Sequence, residues 1–470
     1  MLSPNLVENI EKPLYEQLYE YIKDEIRLTH LKSDQALPSK RNLSNHLDIS
    51  INTVTKAYEI LIDEGYLYSV ERKGYFVSNI DNLLSLEIDT KKSKINKKKK
   101  KKYKYNFKIN NIDTDNFPKY TFRKLNSEII NDYEDTWLKS RDPQGLYILR
   151  NNIKEYLNQS RGVKTNAENI IISSGTEYLM QILLYILPKD SVFAVENPGY
   201  RVLNAIFEIN NVGYTPISID KNGMNYKELK NSPANIVLVT PSHQFPTGEI
   251  MQINRRIKLL NWADKNKRNY IIEDDYDSEF KYYGKPIPAL KSLDRQDNVI
   301  YIGNFSKAIS PLLRVSYMVL PDELLKIYYD RVPFMNCPVA SHVQLSLAKF
   351  MEEGYFERHL NRMRNIYKEK RKVAIDVFKK HKEFKIIDSK AGLHFIIELN
   401  TDLSEEELVG IASENDIYIE GLSKYYVNGI KNYEKPKIII GFGNMKNEDI
   451  EYALNILIKS LEKYIKKETH

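Results

Sequence analysis

Apolar side chains recur at helical spacing near the N-terminus. Leu14, Leu18, Ile22 and Ile26 form one stripe, with Tyr15 and Tyr19 beside it. Pro38-Ser39 predicts the start of a second helix, with Ser39 as N-cap and Leu43 and Leu47 facing inward. Asp48-Ile49-Ser50 reads as a three-residue turn. Ser50 then caps a third helix, whose core side is Val54, Tyr58 and Leu61 and whose stop is Gly65. Tyr66 to Val70 and Tyr75 to Val77 flank Glu71-Arg72-Lys73-Gly74, the pattern of a hairpin with a basic tip. Two helices joined by such a turn and followed by a hairpin have the proportions of a winged helix-turn-helix.

The period changes after about residue 106. Short β-branched runs (Ile170–Ser173, Val192–Glu196, Ile236–Thr240, Tyr270–Glu273, Val299–Ile302 and Val315–Leu320) alternate with helical stretches such as Tyr178–Leu187 and Ile253–Lys265. That alternation predicts an α/β body with a mainly parallel sheet covered on both faces. A long charged helix follows after about residue 350. Beyond it lies a smaller α+β region, with strands near Phe395–Leu399, Tyr418–Glu420 and Lys437–Gly443. No internal repeat is visible. The expected organisation is a head at 1–78, a linker at 79–105 and a body at 106–470, whose small subdomain begins at about 350.

Composition narrows the class. The 470 residues leave room for more than one domain, and the 42% apolar share is globular. No run of eighteen apolar residues occurs and the N-terminus lacks a signal-peptide core, so no membrane span is expected. The one cysteine, Cys337, rules out an internal disulfide and fits a reducing, cytoplasmic setting. No basic partner stands recognisably near Cys337 to make it a nucleophile. Charge is unevenly spread. Residues 91–104 alone carry ten lysines, so without them the +7 chain would stand at −3. Such a run has nothing apolar to bury and reads as a solvated tether, with salt-dependent attraction to phosphate backbones as a secondary role.

Residues 1–78 hold nine basic against twelve acidic side chains, so the head's net charge does not announce nucleic acid. Placement does. Lys40 and Arg41 stand at the front of the second helix beside Ser39, Lys56 on the third, and Arg72 and Lys73 on the wing. Asn52 and Thr53 open the third helix, where a recognition helix presents side chains to base edges. These positions predict contact with double-stranded DNA. A winged helix that binds protein is the competing reading.

In the body, candidate chemistry gathers at the carboxyl ends of predicted strands, where a parallel sheet holds its ligand. Ser173-Ser174-Gly175-Thr176-Glu177 leaves a strand and opens a helix, and its free N–H groups would seat a phosphate or simply cap the helix. Glu196-Asn197-Pro198-Gly199-Tyr200 places an aromatic where it could stack on a planar ring or pack on the surface. Glu273, Asp274 and Asp275 are costly together unless a cation or a protonated ring nitrogen requires them; a metal is the competing explanation. Lys307 follows the strand that ends at Gly303, where burial can hold an amine neutral and able to form a Schiff base. Arg314 on the same loop suits a phosphate.

Two resemblances sharpen this. Leu37-Pro38-Ser39-Lys40-Arg41-Asn42-Leu43, Ile49-Ser50-Ile51-Asn52-Thr53-Val54, Ala57-Tyr58-Glu59 and Glu64-Gly65-Tyr66-Leu67 resemble the GntR winged-helix signature, with Ile51 where members usually carry arginine. The order of phosphate seat, Tyr200, Ser242–Gly248, Ile272 to Phe280, Phe305-Ser306-Lys307 and Arg314 resembles a fold-type I pyridoxal-phosphate aminotransferase domain. Joined, the two are similar to the MocR/GabR subfamily of bacterial transcription regulators over essentially the whole chain. The resemblance implies pyridoxal 5′-phosphate as cofactor. Lys307 would bond it covalently, Asp274 would hold the pyridine nitrogen and Tyr276 the ring hydroxyl. Tyr200 would stack, and Gly175, Thr176 and Arg314 would take the phosphate.

Departures from the aminotransferase pattern bear on activity. Phe245 replaces the usual asparagine before Pro-Thr-Gly. No arginine occurs after Arg371 to clamp a substrate carboxylate, and the late strand offers only Lys437. Val202 stands where GABA-responsive members use arginine, and Arg201 would point elsewhere on an extended backbone. The reading is a regulator and not an enzyme, with residual half-transamination at most; a working aminotransferase with a DNA-binding head is the runner-up. Its expected partners are operator DNA, a small effector (the cofactor itself, an amine or an amino acid) and a second copy, the winged helix of one subunit lying over the other's large domain.

Overall fold

The computed structural model describes residues 12–79, 101–132, 142–282, 287–387, 391–427 and 435–466, with Leu2, Pro4 and Leu6. The tether expected at 79–105 lies outside the described residues over 80–100. The chain divides into two compact units, Met1–Lys100 and Lys101–His470.

The first unit holds three helices, α1 (Leu14–Arg27), α2 (Lys40–Leu47) and α3 (Ile51–Asp63). Ser39 and Ser50 cap the second and third, accepting from the backbone N–H of Asn42 at 3.2 Å and of Thr53 at 3.1 Å. Asp48 between them adopts the left-handed conformation, φ 52°, which an aspartate tolerates and which lets the chain turn sharply. Leu18, Ile22, Ile26, Leu43, Val54, Tyr58 and Leu61 meet in one buried core. The wing is the hairpin of β2 (Leu67–Val70) and β3 (Gly74–Val77). A two-residue strand, β1 (Ala36–Leu37), pairs with β3 and completes a three-stranded sheet; two residues carry no periodicity, so the sequence gives no sign of it.

In the second unit β4 (Tyr105–Asn106) precedes an eight-stranded sheet. Its members are β5 (Ile170–Ser173), β6 (Val192–Asn197), β7 (Gly213–Asp220), β8 (Gly223–Met224), β9 (Ile236–Val239), β10 (Tyr270–Asp275), β11 (Val299–Asn304) and β12 (Ser316–Val319). They lie in the order β5-β12-β11-β10-β9-β6-β7-β8. The central pairs are parallel; β12 runs antiparallel to both β11 and β5. Fully buried β-branched runs explain why the central strands read as continuous apolar stretches. The helix Thr176–Ile186 packs Leu179, Met180 and Leu183 on one face, and Tyr147–Arg161 packs Leu149, Ile153 and Leu157 on the other. Asp274 lies level with Ile302, so the carboxyl ends of β10 and β11 open at the same height.

The long helix Tyr355–Lys379 leads into the small subdomain. There β13 (Phe384–Ile387), β14 (His394–Leu399), β17 (Lys437–Gly441) and β16 (Glu420–Gly421) form one sheet, while β15 (Ile417–Tyr418) pairs with β4. The single strand expected at Tyr418–Glu420 is therefore two strands in two sheets. Phe107 shares the small subdomain's core with Phe378, Phe395 and Phe442, so the body's first residues belong with its last. Among the described residues no helix is long and apolar enough to cross a membrane.

Candidate cofactor and effector site

A cavity of about 220 Å³ opens at the carboxyl ends of the central strands. Gly175, Thr176, Tyr200, Asp274, Tyr276, Lys307 and Arg314 all line it. Residues up to 139 positions apart thus converge because strand ends converge, each contributing its first loop residues.

The carboxylate run at the end of β10 resolves into separate tasks. Strand pleating sends Glu273 and Asp275 to one face and Asp274 to the other. Glu273 accepts the backbone N–H groups of Leu290 and Lys291, both at 2.8 Å. Asp275 pairs with Arg161 at 2.7 Å and accepts the Tyr301 hydroxyl at 2.5 Å. Asp274 is buried at the cavity wall with Oδ1 unpartnered. Burial, then the neighbouring carboxylates led by Asp275, push its pKa up to about 7. A carboxylate left so needs a cation or a proton donor in the cavity.

Lys307 is buried and its ammonium has no hydrogen-bond partner. Its Nζ stands 3.6 Å from Asp277 Oδ2 and 4.4 Å from the Tyr276 ring centre. Desolvation draws its pKa below the usual lysine value, against the opposing pull of Asp277. That favours the neutral amine a nucleophilic lysine needs. Tyr276 Oη lies 2.9 Å from His243 Nδ1, which is also 2.9 Å from Asp277 Oδ2. Burial works to raise Asp277, but His243 and Lys307 outweigh it and hold the carboxylate below its ordinary range. His243 and Asp277 were not singled out in the sequence, although both lie in motifs that were; their partnership spans 34 positions.

At the opposite end, no side chain caps the helix Thr176–Ile186, so its first N–H groups face the cavity mouth. Gly175 sits at φ +120°, and a Cβ there would fall 2.5 Å from Arg314 Nη2, so this close approach requires glycine. Arg314 Nη2 donates to Ser174 O at 2.9 Å. The helix dipole, the free N–H groups and the guanidinium together make an anion seat.

The roof is apolar. Phe245 meets Tyr200, Tyr276 and Tyr425 edge-to-face, with ring centres 5.7, 5.6 and 5.3 Å apart. Ile439 of β17 and Ile396 of β14 pack into the same cluster. Lys437 does not line the cavity; its Nζ lies 3.8 Å from Glu398 Oε2. Val202 does not line it either: it sits, 44% exposed, on the helix Arg201–Ile209. The backbone at Arg201 is helical where an extended one was considered, and its guanidinium reaches Lys424 O at 3.4 Å. Among the described residues the basic side chains lining the cavity are Lys307 and Arg314.

This donor set fits pyridoxal phosphate. The orphaned Asp274 oxygen matches a protonated ring nitrogen, the desolvated Lys307 amine an aldehyde, and the seat at Gly175, Thr176 and Arg314 a phosphate. Cys337 is half-buried, with its thiol pushed up to about 11 by burial, and takes no part.

In the head, Arg41, Asn52, Lys56, Arg72 and Lys73 are exposed, and Thr53 is half-buried. Ser39 is spent on its helix cap and Thr53 Oγ1 contacts Ser50 Oγ at 3.0 Å. Lys56 Nζ lies 3.9 Å from the centre of the Tyr15 ring, which fixes its ammonium against α1. Ile51, at the position where arginine is usual, is 42% exposed.

Comparison with known proteins agrees with both halves. Residues 14–77 match the family profile of bacterial regulatory proteins of the gntR family, and residues 102–457 match aminotransferase class I and II. The HTH-type transcriptional regulator YdeL of Bacillus subtilis is 36% identical over 97% of this chain and 98% of its own. The chain belongs to the MocR-type transcription regulators. MocR of Rhizobium meliloti, named a probable rhizopine catabolism regulatory protein, is 28% identical over 96% of this chain and 94% of its own. PdxR of Corynebacterium glutamicum, a pyridoxine biosynthesis transcriptional regulator, is also 28% identical, over 96% of each chain. The solved kynurenine aminotransferase of Pyrococcus horikoshii superposes with a TM-score of 0.69 at 21% identity, covering 86% of this chain and 99% of that one. That likeness carries the fold of the MocR-type body, a fold-type I aminotransferase domain.

Proposed function

We propose that this MocR-type regulator binds pyridoxal phosphate in the cavity and reads cofactor occupancy, not an amino acid, to control operator binding as a homodimer. The observation that carries the reading is an imbalance in the cavity. Asp274, Tyr276, Lys307 and Arg314 would each serve one polar group of the cofactor, and among the described lining residues no further basic side chain is left for an amino acid's carboxylate. Lys307 would hold the cofactor covalently, which supplies an electron sink in any enzyme of this fold. Asp274 would keep the ring nitrogen protonated, Tyr276 would bond the ring hydroxyl, Tyr200 would cover the ring face, and Gly175, Thr176 and Arg314 would hold the phosphate. An amino acid's carboxylate would share the cavity with Phe245 and find no cation set aside for it, and an unpaired buried carboxylate is prohibitively costly. The head would meet DNA through Arg41, Asn52, Thr53 and Lys56 in the major groove, with Ser39 at the helix start and Arg72 and Lys73 on the wing.

Purified protein mixed with pyridoxal phosphate should develop the visible absorbance of a covalently held cofactor, and Lys307→Ala should lose it. A panel of α- and ω-amino acids should then leave the wild-type spectrum in place. A Lys307→Ala spectrum identical to wild type rejects the assignment. Steady turnover with any amino acid would restore the aminotransferase reading.

A further inference from the structure

Glu177 has no role in the site as described, yet it stands inside it. It occupies the first turn of the helix Thr176–Ile186 and lines the cavity. Its Oε2 lies 3.4 Å from Arg314 Nη2, and its Oε1 accepts the Tyr200 hydroxyl at 3.0 Å. A Cβ built on Gly175 would come within 2.7 Å of that same Oε2 and 2.5 Å of Arg314 Nη2, so carboxylate and guanidinium both lie over the glycine. The groups that would receive a phosphate therefore already hold an anion supplied by the chain.

We propose that the Glu177 carboxylate is an internal competitor for the phosphate seat, so that cofactor binding requires it to leave Arg314. This rests on the reading that the cavity takes pyridoxal phosphate. A phosphate dianion and a carboxylate cannot share one guanidinium and one helix N-terminus without like-charge repulsion. Glu177 is about one-third exposed on its side chain, so it has water to move into and the exchange is open to it. The consequence is functional. A competitor built into the seat lowers apparent affinity by the fraction of molecules in which the seat is blocked. An enzyme gains from a cofactor that never leaves; a sensor of cofactor level needs one that does. Displacement also frees the Tyr200 hydroxyl from its carboxylate partner, which gives phosphate binding a local structural signal at the ring-facing tyrosine.

The test separates phosphate from ring. Wild type and Glu177→Gln are titrated, as full-length protein, with pyridoxal phosphate and with pyridoxal, which lacks the phosphate. Glutamine keeps the shape of the side chain and can still accept from Tyr200, so only the charge is removed. The substitution should tighten pyridoxal phosphate by about tenfold, as expected for a like charge removed near a partly exposed dianion. It should change pyridoxal by less than about twofold on the same grounds. Unchanged or weakened phosphate-ester binding would overturn the proposal, and so would equal tightening of both aldehydes, because the charge would then act on Asp274 and not on the seat. Binding of neither aldehyde by either protein would remove the cofactor reading and this inference together, a pattern distinct from binding that the substitution leaves untouched.

Discussion

Asp274 and Lys307 face one cavity, and neither Asp274 Oδ1 nor Lys307 Nζ has a hydrogen-bond partner within the chain, which is what a site awaiting a ligand looks like at the scale of single residues. The carboxylate's state has a measurable signature. Its folded pKa is about 7 against an ordinary 3.8, so the folded protein holds a proton that the unfolded chain releases. A group raised in this way contributes stability fully present below about pH 4 and lost as pH climbs through about 7. Asp274→Asn removes the contribution. The melting temperature of cofactor-free wild type relative to Asp274→Asn should therefore fall between pH 5 and pH 7 and level off above it, while the variant loses cofactor affinity. A difference that rises over that interval would contradict a buried, unpaired carboxyl. The Lys-Asp-His-Tyr contacts around His243 were not legible in the sequence, because a hydrogen bond between residues 243 and 277 leaves no local pattern. The carboxylate run was legible as unusual, but not which member faces the cavity; strand pleating decided that.

Elements explain where sequence reading worked and where it stopped. Buried central strands such as β9 and β11 are continuous β-branched runs and stand out from the loops around them. Strand direction does not show in periodicity, so the antiparallel β12 was recognisable only as a strand. The strand β7, second from the sheet's β8 edge, has mixed exposure and contains Pro216, and its pattern does not stand out as a strand. In the head, α2 and α3 are marked by their serine caps, whose bonds the structure shows. Substitutions on α2 and α3 test how the head meets DNA. Arg41→Ala and Lys56→Ala should weaken binding to DNA of every sequence and reduce the slope of log affinity against log salt by about one each where a phosphate contact is lost. Lys56→Ala also removes the contact with Tyr15, so its melting temperature should be recorded beside its DNA affinity. Asn52→Ala should cost about 1–3 kcal/mol on the cognate site and little on random DNA if it reads a base edge. Equal losses on both would assign Asn52 to the backbone.

As a whole, the molecule is a regulator assembled from a GntR-type head and an aminotransferase fold, and among the described residues lining its cavity Arg314 is the one arginine. A ligand moves a conformational equilibrium only as far as its affinities for the two states differ. Under the proposed function cofactor occupancy would change the head's affinity for DNA, and by reciprocity DNA would change the affinity for cofactor by the same factor. The most direct measurement is operator binding by cofactor-free and cofactor-loaded full-length protein at fixed salt, on a site obtained by selection from random DNA. Affinities differing by about fivefold or more, the lower end of ordinary coupling, are expected, with no further change on adding amino acids. Identical affinities for the two forms, together with a clear spectral shift and altered DNA binding on adding one amino acid, would contradict it.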